Sequence, residues 1–339
     1  MRVDCGLSMT DLNTIPAEAR QAEALGYDAV STGEITGDPL FRLLLAAEHT
    51  QLVHLETSVL IAFPRSPMVV AYQAWELQGY SKGRLHLGIG TQVRAHIQRR
   101  FSTTWDSPGP RLREYIMSMR AIWECWQKGT KLDFQGKFYR FNLMTPFFTP
   151  KSIEHPHIPI YISALNPYNL QLAGELCDGI RMHGFNTPKY TQKVILPYLE
   201  AGAKKAGRTL KDLDIVGVGF TITGANEEAI EKQIRPTKKH LAFYASTPAY
   251  RPVMDIHGWG EEHLELHRLS REGKWDEMAD VFTDEMLAEF ANIGTHDQIA
   301  KKIKQRWGGV STRCGFKIPV NGPKDAETLK SILAELRKA

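Results

Sequence analysis

What most constrains this chain is a rhythm. Short, apolar, β-branched runs alternate with longer amphipathic helical stretches along almost the whole sequence. Strand-like runs are read at Val3 to Leu7, Tyr27 to Ser31, Leu52 to Phe63, Leu85 to Gly90, Ile158 to Ser163, Gly179 to His183, Leu213 to Thr223 and Arg313 to Val320. Helical patterns are read at Pro16 to Leu25, Pro39 to His49, Pro67 to Tyr80, Arg111 to Trp126, Pro167 to Leu176, Pro188 to Ala206, Asn226 to Tyr244 and Asp325 to Lys338. Parallel strands need a crossover between them, and a helix supplies it. Strand and helix in strict series therefore predict a parallel sheet. The number of units predicts an α/β fold closed as a (β/α)8 TIM barrel rather than an open doubly wound sheet.

Three stretches break the rhythm. Thr91 to Pro110 reads as a long loop, and Phe134 to Phe141 as a hairpin turning at Gln135-Gly136. Ser246 to Glu289, rich in Trp, His, Glu and Arg, reads as a helical insertion at about residues 246–290. No linker or low-complexity tract interrupts the 339 residues, so a single domain over 1–339 is expected.

Composition excludes several classes. A net charge of +4 is too small for a nucleic-acid footprint, which masses basic residues on one face. Cys5, Cys125, Cys177 and Cys314 lie far apart with no CxxC pair, so neither a zinc knuckle nor a disulfide framework is expected. Met1-Arg2-Val3-Asp4 leads straight into an apolar strand, and no apolar run reaches membrane-span length. A cytoplasmic protein with a small-molecule substrate, no nucleic acid and no membrane is the expectation.

Barrels of this type place their chemistry at the C-terminal ends of the strands. The residues there are Ser8 to Thr10, Thr32 to Glu34, Ser58, Val59, Phe63 and Arg65, Thr91 to Arg94, Ala164 to Asn166, and His183 to Phe185. Acid/base groups are scarce. Glu34 and His183 are the candidates for proton transfer, with an arginine ion pair and simple packing as their respective plainer readings. No paired acids suggest a glycosidase, no His/Asp cluster suggests a metal, and no G-x-S-x-G elbow suggests a serine hydrolase. A mouth of apolar and small polar groups suits an organic cofactor that brings its own chemistry.

Two features bear on such a ligand. Gly88 and Gly90 end the fourth strand and let a flat ligand or another backbone come close. Asn166-Pro167 is a helix start, and a helix N-terminus at the mouth can hold phosphate as well as simply being capped. The arginines Arg94, Arg99, Arg100, Arg111 and Arg113 are either a solvated surface or the rim for a polyanionic tail.

The chain also resembles a known family. The segments that carry the resemblance are Gly26-Tyr27-Asp28-Ala29-Val30, Glu56-Thr57-Ser58-Val59-Leu60 with Arg65-Ser66-Pro67, and Gly83-Arg84-Leu85-His86-Leu87-Gly88-Ile89-Gly90-Thr91. Pro159 to Ala164 and Ala173 to Gly179 complete it. In order and spacing they resemble the bacterial luciferase-like superfamily of flavin and deazaflavin enzymes. Within it the chain looks closest to the coenzyme F-420-dependent branch. Phe243 to Arg251 and His257-Gly258-Trp259 resemble an insertion typical of one subgroup.

The resemblance implies roles. Ser58-Val59 falls where many members carry a non-prolyl cis peptide behind the cofactor ring. Thr91, Gln92 and Val93 match ring- or ribityl-contacting positions. Ala164, Leu165 and Asn166 match the phosphate loop, and His183 and Gly184 the next strand end. Arg94, Arg99 and Arg100 would hold the acidic tail of F-420. Phe63, Phe243, Tyr244, Tyr250 and Trp259 would wall the substrate pocket, with Glu34 or His183 as proton donor. A homodimer is implied as well.

Two positions depart from the pattern. Thr32-Gly33-Glu34 stands where several F-420 members carry Asp-His, and Gln92 and Val93 stand where an acid often follows. The sugar-phosphate substrate of better-known relatives is therefore not carried over. The expected activity is hydride transfer between deazaflavin C5 and an organic substrate. An FMN-dependent monooxygenase and a non-catalytic flavin-binding protein are the alternatives.

Overall fold

A computed structural model describes residues 1–338, and its succession of strands and helices is that of a (β/α)8 barrel. The chain resolves into two units. One holds Asp4–Arg181 and Leu199–Leu213; the other holds Met1–Val3, Met182–Tyr198 and the chain from Asp214 on.

In the first unit the strands are β1 (Arg2–Gly6, entering at Asp4), β2 (Ala29–Thr32), β3 (His54–Thr57), β4 (Leu60–Ile61) and β5 (Leu85–Gly90). A small hairpin of β6 (Phe134–Gln135) and β7 (Arg140–Phe141) is followed by β8 (Ile160–Ser163) and β9 (Gly179–Arg181). All pairings here except the hairpin are parallel, with Cys5 opposite Val30, Val30 opposite Leu55, Leu55 opposite Leu85, Ile89 opposite Ile162, and Ile162 opposite Ile180. Every residue of β5 is buried, as a strand covered on both faces requires.

The helices of this unit are α1 (Ile15–Leu25), α2 (Pro39–Glu48), α3 (Pro67–Tyr80), α4 (Pro108–Lys128) and α5 (Pro167–Leu176), followed by the later part of α6 (Leu196–Lys205). Local chemistry starts them. The Asp38 side chain accepts a hydrogen bond from Leu40 N–H at 2.8 Å with Pro39 in the first turn, and Ser66 caps α3 in the same way. Gly26 closes α1 in the left-handed region, at φ +87°.

The second unit carries β10 (Asp214–Val216), β11 (Phe220–Gly224), β12 (Ala291–Thr295) and β13 (Arg313–Gly315). Val216 pairs with Arg313, whereas β11 and β12 form a separate parallel pair from Phe220 opposite Ala291 to Gly224 opposite Thr295. Its longer helices are α7 (Glu227–Ala245), α8 (Gly260–Arg271), α9 (Asp284–Phe290), α10 (Ile299–Trp307) and α11 (Pro323–Arg337).

Several boundaries differ from the sequence reading. The run Leu52 to Phe63 splits into β3 and β4 around Ser58-Val59, the peptide of which is cis. Leu213 to Thr223 splits into β10 and β11, because Gly217 and Gly219 take φ of +127° and +71°, which no strand sustains. The expected strand Arg313 to Val320 keeps regular pairing only as far as Gly315. The loop Thr91 to Pro110 contains a helical turn at His96–Arg100. The strand β12 and helix α10 had not been anticipated. The four cysteines are buried and form no disulfide. Among the described residues, no helix is long and apolar enough to cross a membrane.

Candidate active site

The strand register of the first unit places charge where the sequence suggested only apolar packing. Glu56 of β3 lies opposite His86 of β5, so both side chains leave the sheet on the same face. Glu56 accepts from His86 Nδ1 at 3.0 Å and from the Arg181 guanidinium. The same guanidinium stands 3.6 Å from the Asp4 carboxylate, and its Nε donates to Ser58 Oγ at 3.0 Å. His54 and Tyr161 stack on either side of the His86 ring. All four charged or ionisable residues are buried. This network ties the barrel interior to Ser58, at the strand-end bulge. A charged residue inside an otherwise apolar central strand was the available signal, at Asp4, Glu56 and His86.

At the mouth, Gly33, Gly88 and Gly90 each make room for a neighbouring segment of the chain. A Cβ on Gly33 would sit 2.8 Å from the Ser58 carbonyl oxygen, and one on Gly90 would sit 2.8 Å from Val59 Cγ2. A Cβ on Gly88 would fall on the Thr57 carbonyl oxygen, while Thr57 Oγ1 donates to the Gly88 carbonyl at 2.7 Å. Close approach of another backbone is observed at Gly88; at Gly90 the near neighbour is the Val59 side chain.

Glu34 is held firmly. Its carboxylate accepts from Ile61 N–H at 2.8 Å and from both terminal nitrogens of Arg65 at 2.9 and 3.0 Å, and Arg65 reaches on to Asp38 at 2.8 Å. A carboxylate with both oxygens committed to a bidentate guanidinium is a clamp between β2, β4 and α2. Phe63 is buried, edge-on to Trp105 and beneath the Arg111 guanidinium at 4.4 Å.

The remaining first-unit candidates lie on the loop after β5 and the start of α5. Gln92 takes φ +59°, and its side chain accepts from Val93 N–H at 2.9 Å. Thr91 Oγ1 donates to the Gln92 carbonyl at 3.0 Å. Arg94, Arg99 and Arg100 are exposed; Arg94 reaches Gln98, and Arg100 reaches the Ile35 carbonyl. Arg111 and Arg113 are engaged elsewhere, by Tyr139 and by the Glu175 carboxylate. Ala164 is buried, Leu165 half-buried, and Asn166 caps α5 by accepting from Asn169 N–H at 2.9 Å. Pro167 has no N–H and Leu170 N–H reaches the Asn166 carbonyl, which leaves Tyr168 N–H as the first-turn donor with no acceptor inside the helix.

In the second unit, His183 sits in an aromatic box. Tyr244 meets its ring edge-on at 4.6 Å between centroids, and Tyr250 lies over it at 4.8 Å. Burial, with a smaller contribution from His240, lowers the His183 imidazole to about 4. The ring is therefore neutral at pH 7. Its Nδ1 accepts from Phe185 N–H at 3.0 Å, which leaves the proton on Nε2. Burial also pushes the Tyr250 phenol up to about 12 and raises that of Tyr244. The box thus offers neutral hydrogen-bond donors. Gly184 leaves room for the Phe220 ring, which would lie 3.2 Å from a Cβ there. The sequence pattern marks Phe185 as a strand-end residue but not Phe220 or His240, whose Nε2 lies 3.2 Å from the Tyr244 hydroxyl.

Of the expected substrate wall, Phe243, Tyr244 and Tyr250 pack in succession, at 5.5 and 5.7 Å between ring centroids, and Trp259 lies 6.2 Å from Phe290, which stacks on Phe185. Tyr244 and Tyr250 face His183. Phe243 is turned outward, with Trp275 at 6.3 Å as a neighbour. Trp259 stacks on His257 at 4.4 Å, and His257 is held by Thr187 Oγ1 at 2.8 Å.

A family model described as luciferase-like monooxygenase matches residues 2–311. A Mycobacterium tuberculosis protein of uncharacterised function is 41% identical over 329 residues, covering 96% of each chain. The 5,10-methylenetetrahydromethanopterin reductase of Archaeoglobus fulgidus is 27% identical over 299 residues, 87% of this chain and 85% of its own. Among solved structures, the coenzyme F-420-dependent tetrahydromethanopterin reductase of Methanopyrus kandleri superposes with a TM-score of 0.79 at 21% identity, covering 99% of this chain and 98% of that one. The last likeness shows the fold.

Proposed function

The chain belongs to the luciferase-like monooxygenase family and is an oxidoreductase, and we propose that it works with coenzyme F-420 on an uncharged organic substrate that bears an oxygen acceptor. The cofactor reading is supported by the F-420-dependent archaeal reductase of like fold, together with the donor set at the mouth. The substrate reading rests on one observation, the neutral His183 with its proton on Nε2.

The residues present fit such a cofactor. Exposed Arg94, Arg99 and Arg100 suit an anionic tail, and Tyr168 N–H at the start of α5, next to Asn166, suits a phosphate oxygen. Ser58, Val59, Thr91, Gln92, Val93, Ala164 and Leu165 would border the ring and ribityl chain. When bound, the deazaflavin would give or take a hydride at C5 and would resist one-electron chemistry with oxygen.

The chain's own groups do the rest. His183 Nε2–H would hold the substrate oxygen, with the Tyr244 and Tyr250 hydroxyls as further neutral donors. Tyr244 is the natural proton source, because its hydroxyl reaches the exposed His240 ring and so can be resupplied from water. Glu34 serves in this reading as the clamp that fixes the strand-end backbone, not as an acid.

Titration of the purified protein with oxidised F-420 and, separately, with FMN tests the reading. The expected result is F-420 binding that weakens with salt, with a shortened tail and with substitution of Arg94, Arg99 and Arg100. Tight FMN binding without F-420 binding would favour the monooxygenase chemistry of the family's name and overturn it. Binding with no turnover of any carbonyl or alcohol would leave a carrier instead.

A further inference from the structure

One charged side chain in the first unit crosses the inside of the sheet and ends at the mouth. Arg181 is the last residue of β9, yet its guanidinium lies against β3, with β8 and β5 between the two strands. The stem passes over β5 at Gly88, where a Cβ would stand 3.2 Å from Arg181 Cδ. Each of the three guanidinium nitrogens then faces a different residue. One terminal nitrogen donates to Glu56, the other lies 3.6 Å from the Asp4 carboxylate, and Nε donates to Ser58 Oγ at 3.0 Å. His86 Nδ1 holds the second oxygen of Glu56. Arg181 is buried, whereas Ser58 is exposed. Such a buried set is no route to stability, because apolar side chains of like volume pack as well without the desolvation cost. What it does fix is a direction. A hydroxyl has one hydrogen and two lone pairs. Arg181 Nε–H occupies a lone pair of Ser58 Oγ, and that hydroxyl has no other partner among the described residues. Its hydrogen is left for whatever binds at the strand ends.

We propose that the Ser58 hydroxyl is a preset hydrogen-bond donor to an acceptor atom on the edge of the bound cofactor ring, and that Arg181 is its positioning residue. This rests on the reading above that a ring binds beside Ser58. Two effects make the donor. A serine hydroxyl in water samples several staggered rotamers, whereas the bond from Nε holds this oxygen in one, so less order has to be created on binding. Accepting a bond from a charged group also polarises the O–H and strengthens it as a donor. The guanidinium acts through Ser58 and not directly, because its other nitrogens are turned to Glu56 and Asp4. Those two carboxylates balance its charge, so the hydroxyl is offered to a neutral acceptor, a ring carbonyl or ring nitrogen, rather than to a phosphate. The buried network thus sets the orientation of an exposed group it does not itself leave the interior to join.

Equilibrium binding of oxidised F-420 and of FMN to the full chain, followed by ring absorption, tests the proposal without turnover. Ser58→Ala should raise the dissociation constant about fivefold, the worth of one ordinary hydrogen bond, and should move the absorption maximum of the bound ring. Arg181→Lys, with circular dichroism as the check on folding, should weaken binding roughly threefold when Ser58 is present and less than about twofold on the Ser58→Ala background. Ser58→Ala reads the proposal even where Arg181→Lys does not fold. An unchanged constant and spectrum in Ser58→Ala would overturn it. So would an Arg181→Lys effect of equal size with and without the Ser58 hydroxyl, which is what a purely structural arginine or a direct charge effect produces. Binding of FMN in place of F-420 overturns the cofactor reading alone, because the same comparison of variants then decides the proposal on FMN. A wild type that binds neither ring overturns both.

Discussion

Acid should destabilise this fold through His183, and substituting that residue should remove the effect. The imidazole is lowered from its ordinary 6.5 to about 4 by burial among Tyr244, Tyr250 and Phe185. A group whose folded pKa is depressed contributes stability in full above its unfolded pKa, and loses it as pH falls towards the folded one. The window is therefore roughly pH 6.5 down to 4. Across all of it the loss is about 3 kcal/mol, at about 1.4 kcal/mol per pKa unit. Between pH 7.5 and pH 5 linkage gives about 2 kcal/mol. Urea unfolding of wild type and His183→Gln at several pH values measures it. The variant starts lower, having lost packing and the acceptor for Phe185 N–H, but its stability should fall about 2 kcal/mol less between those pH values. His240 and His257 titrate in both proteins and cancel to first order. Parallel curves, within about 0.5 kcal/mol of each other, would show that His183 is not buried in neutral form and would remove the basis for its role as a donor.

Two further outcomes follow from the packing. Gly88→Ala puts a methyl on the Thr57 carbonyl oxygen between two buried strands, so it should cost about 3 kcal/mol or more and lower the melting temperature well beyond an exposed Gly→Ala control; calorimetry reads the difference. Arg181→Met removes the guanidinium that faces both Glu56 and Asp4, at a cost of roughly 3–5 kcal/mol, and denaturant titration should show Arg181→Lys recovering part of it.

Where short-range chemistry sets the structure, the sequence was readable. Asp38-Pro39 and Asn166-Pro167 start helices because an Asx oxygen and a proline satisfy the same few backbone positions in any context. Leu85 to Gly90 was visible because a strand covered on both faces is apolar almost throughout, His86 being the exception here. Long-range pairing was harder to see. Glu56, His86 and Arg181 belong to three different strands, and only register shows that they meet. The α10 helix did leave a signal, in Ile299, Ile303 and Trp307 at four-residue spacing, all buried. Its partner β12 did not. Ala-Asn-Ile-Gly-Thr is barely apolar, and it is held by β11 and by Asn292, whose side chain donates to the carbonyls of Val218 and Phe220. Glu34 was legible as either acid or ion-pair partner, and only the position of Arg65 decides between them.

The charged network inside the barrel also limits the routes by which this sequence can change. Two carboxylates, a guanidinium and an imidazole share one buried space, so no member can be exchanged for an apolar residue without stranding the others. A fully apolar replacement set can be as stable as the original, but each single step towards it crosses a state several kcal/mol less stable. Asp4, Glu56, His86 and Arg181 are thus expected to vary together or not at all, even in descendants that have taken up a different substrate.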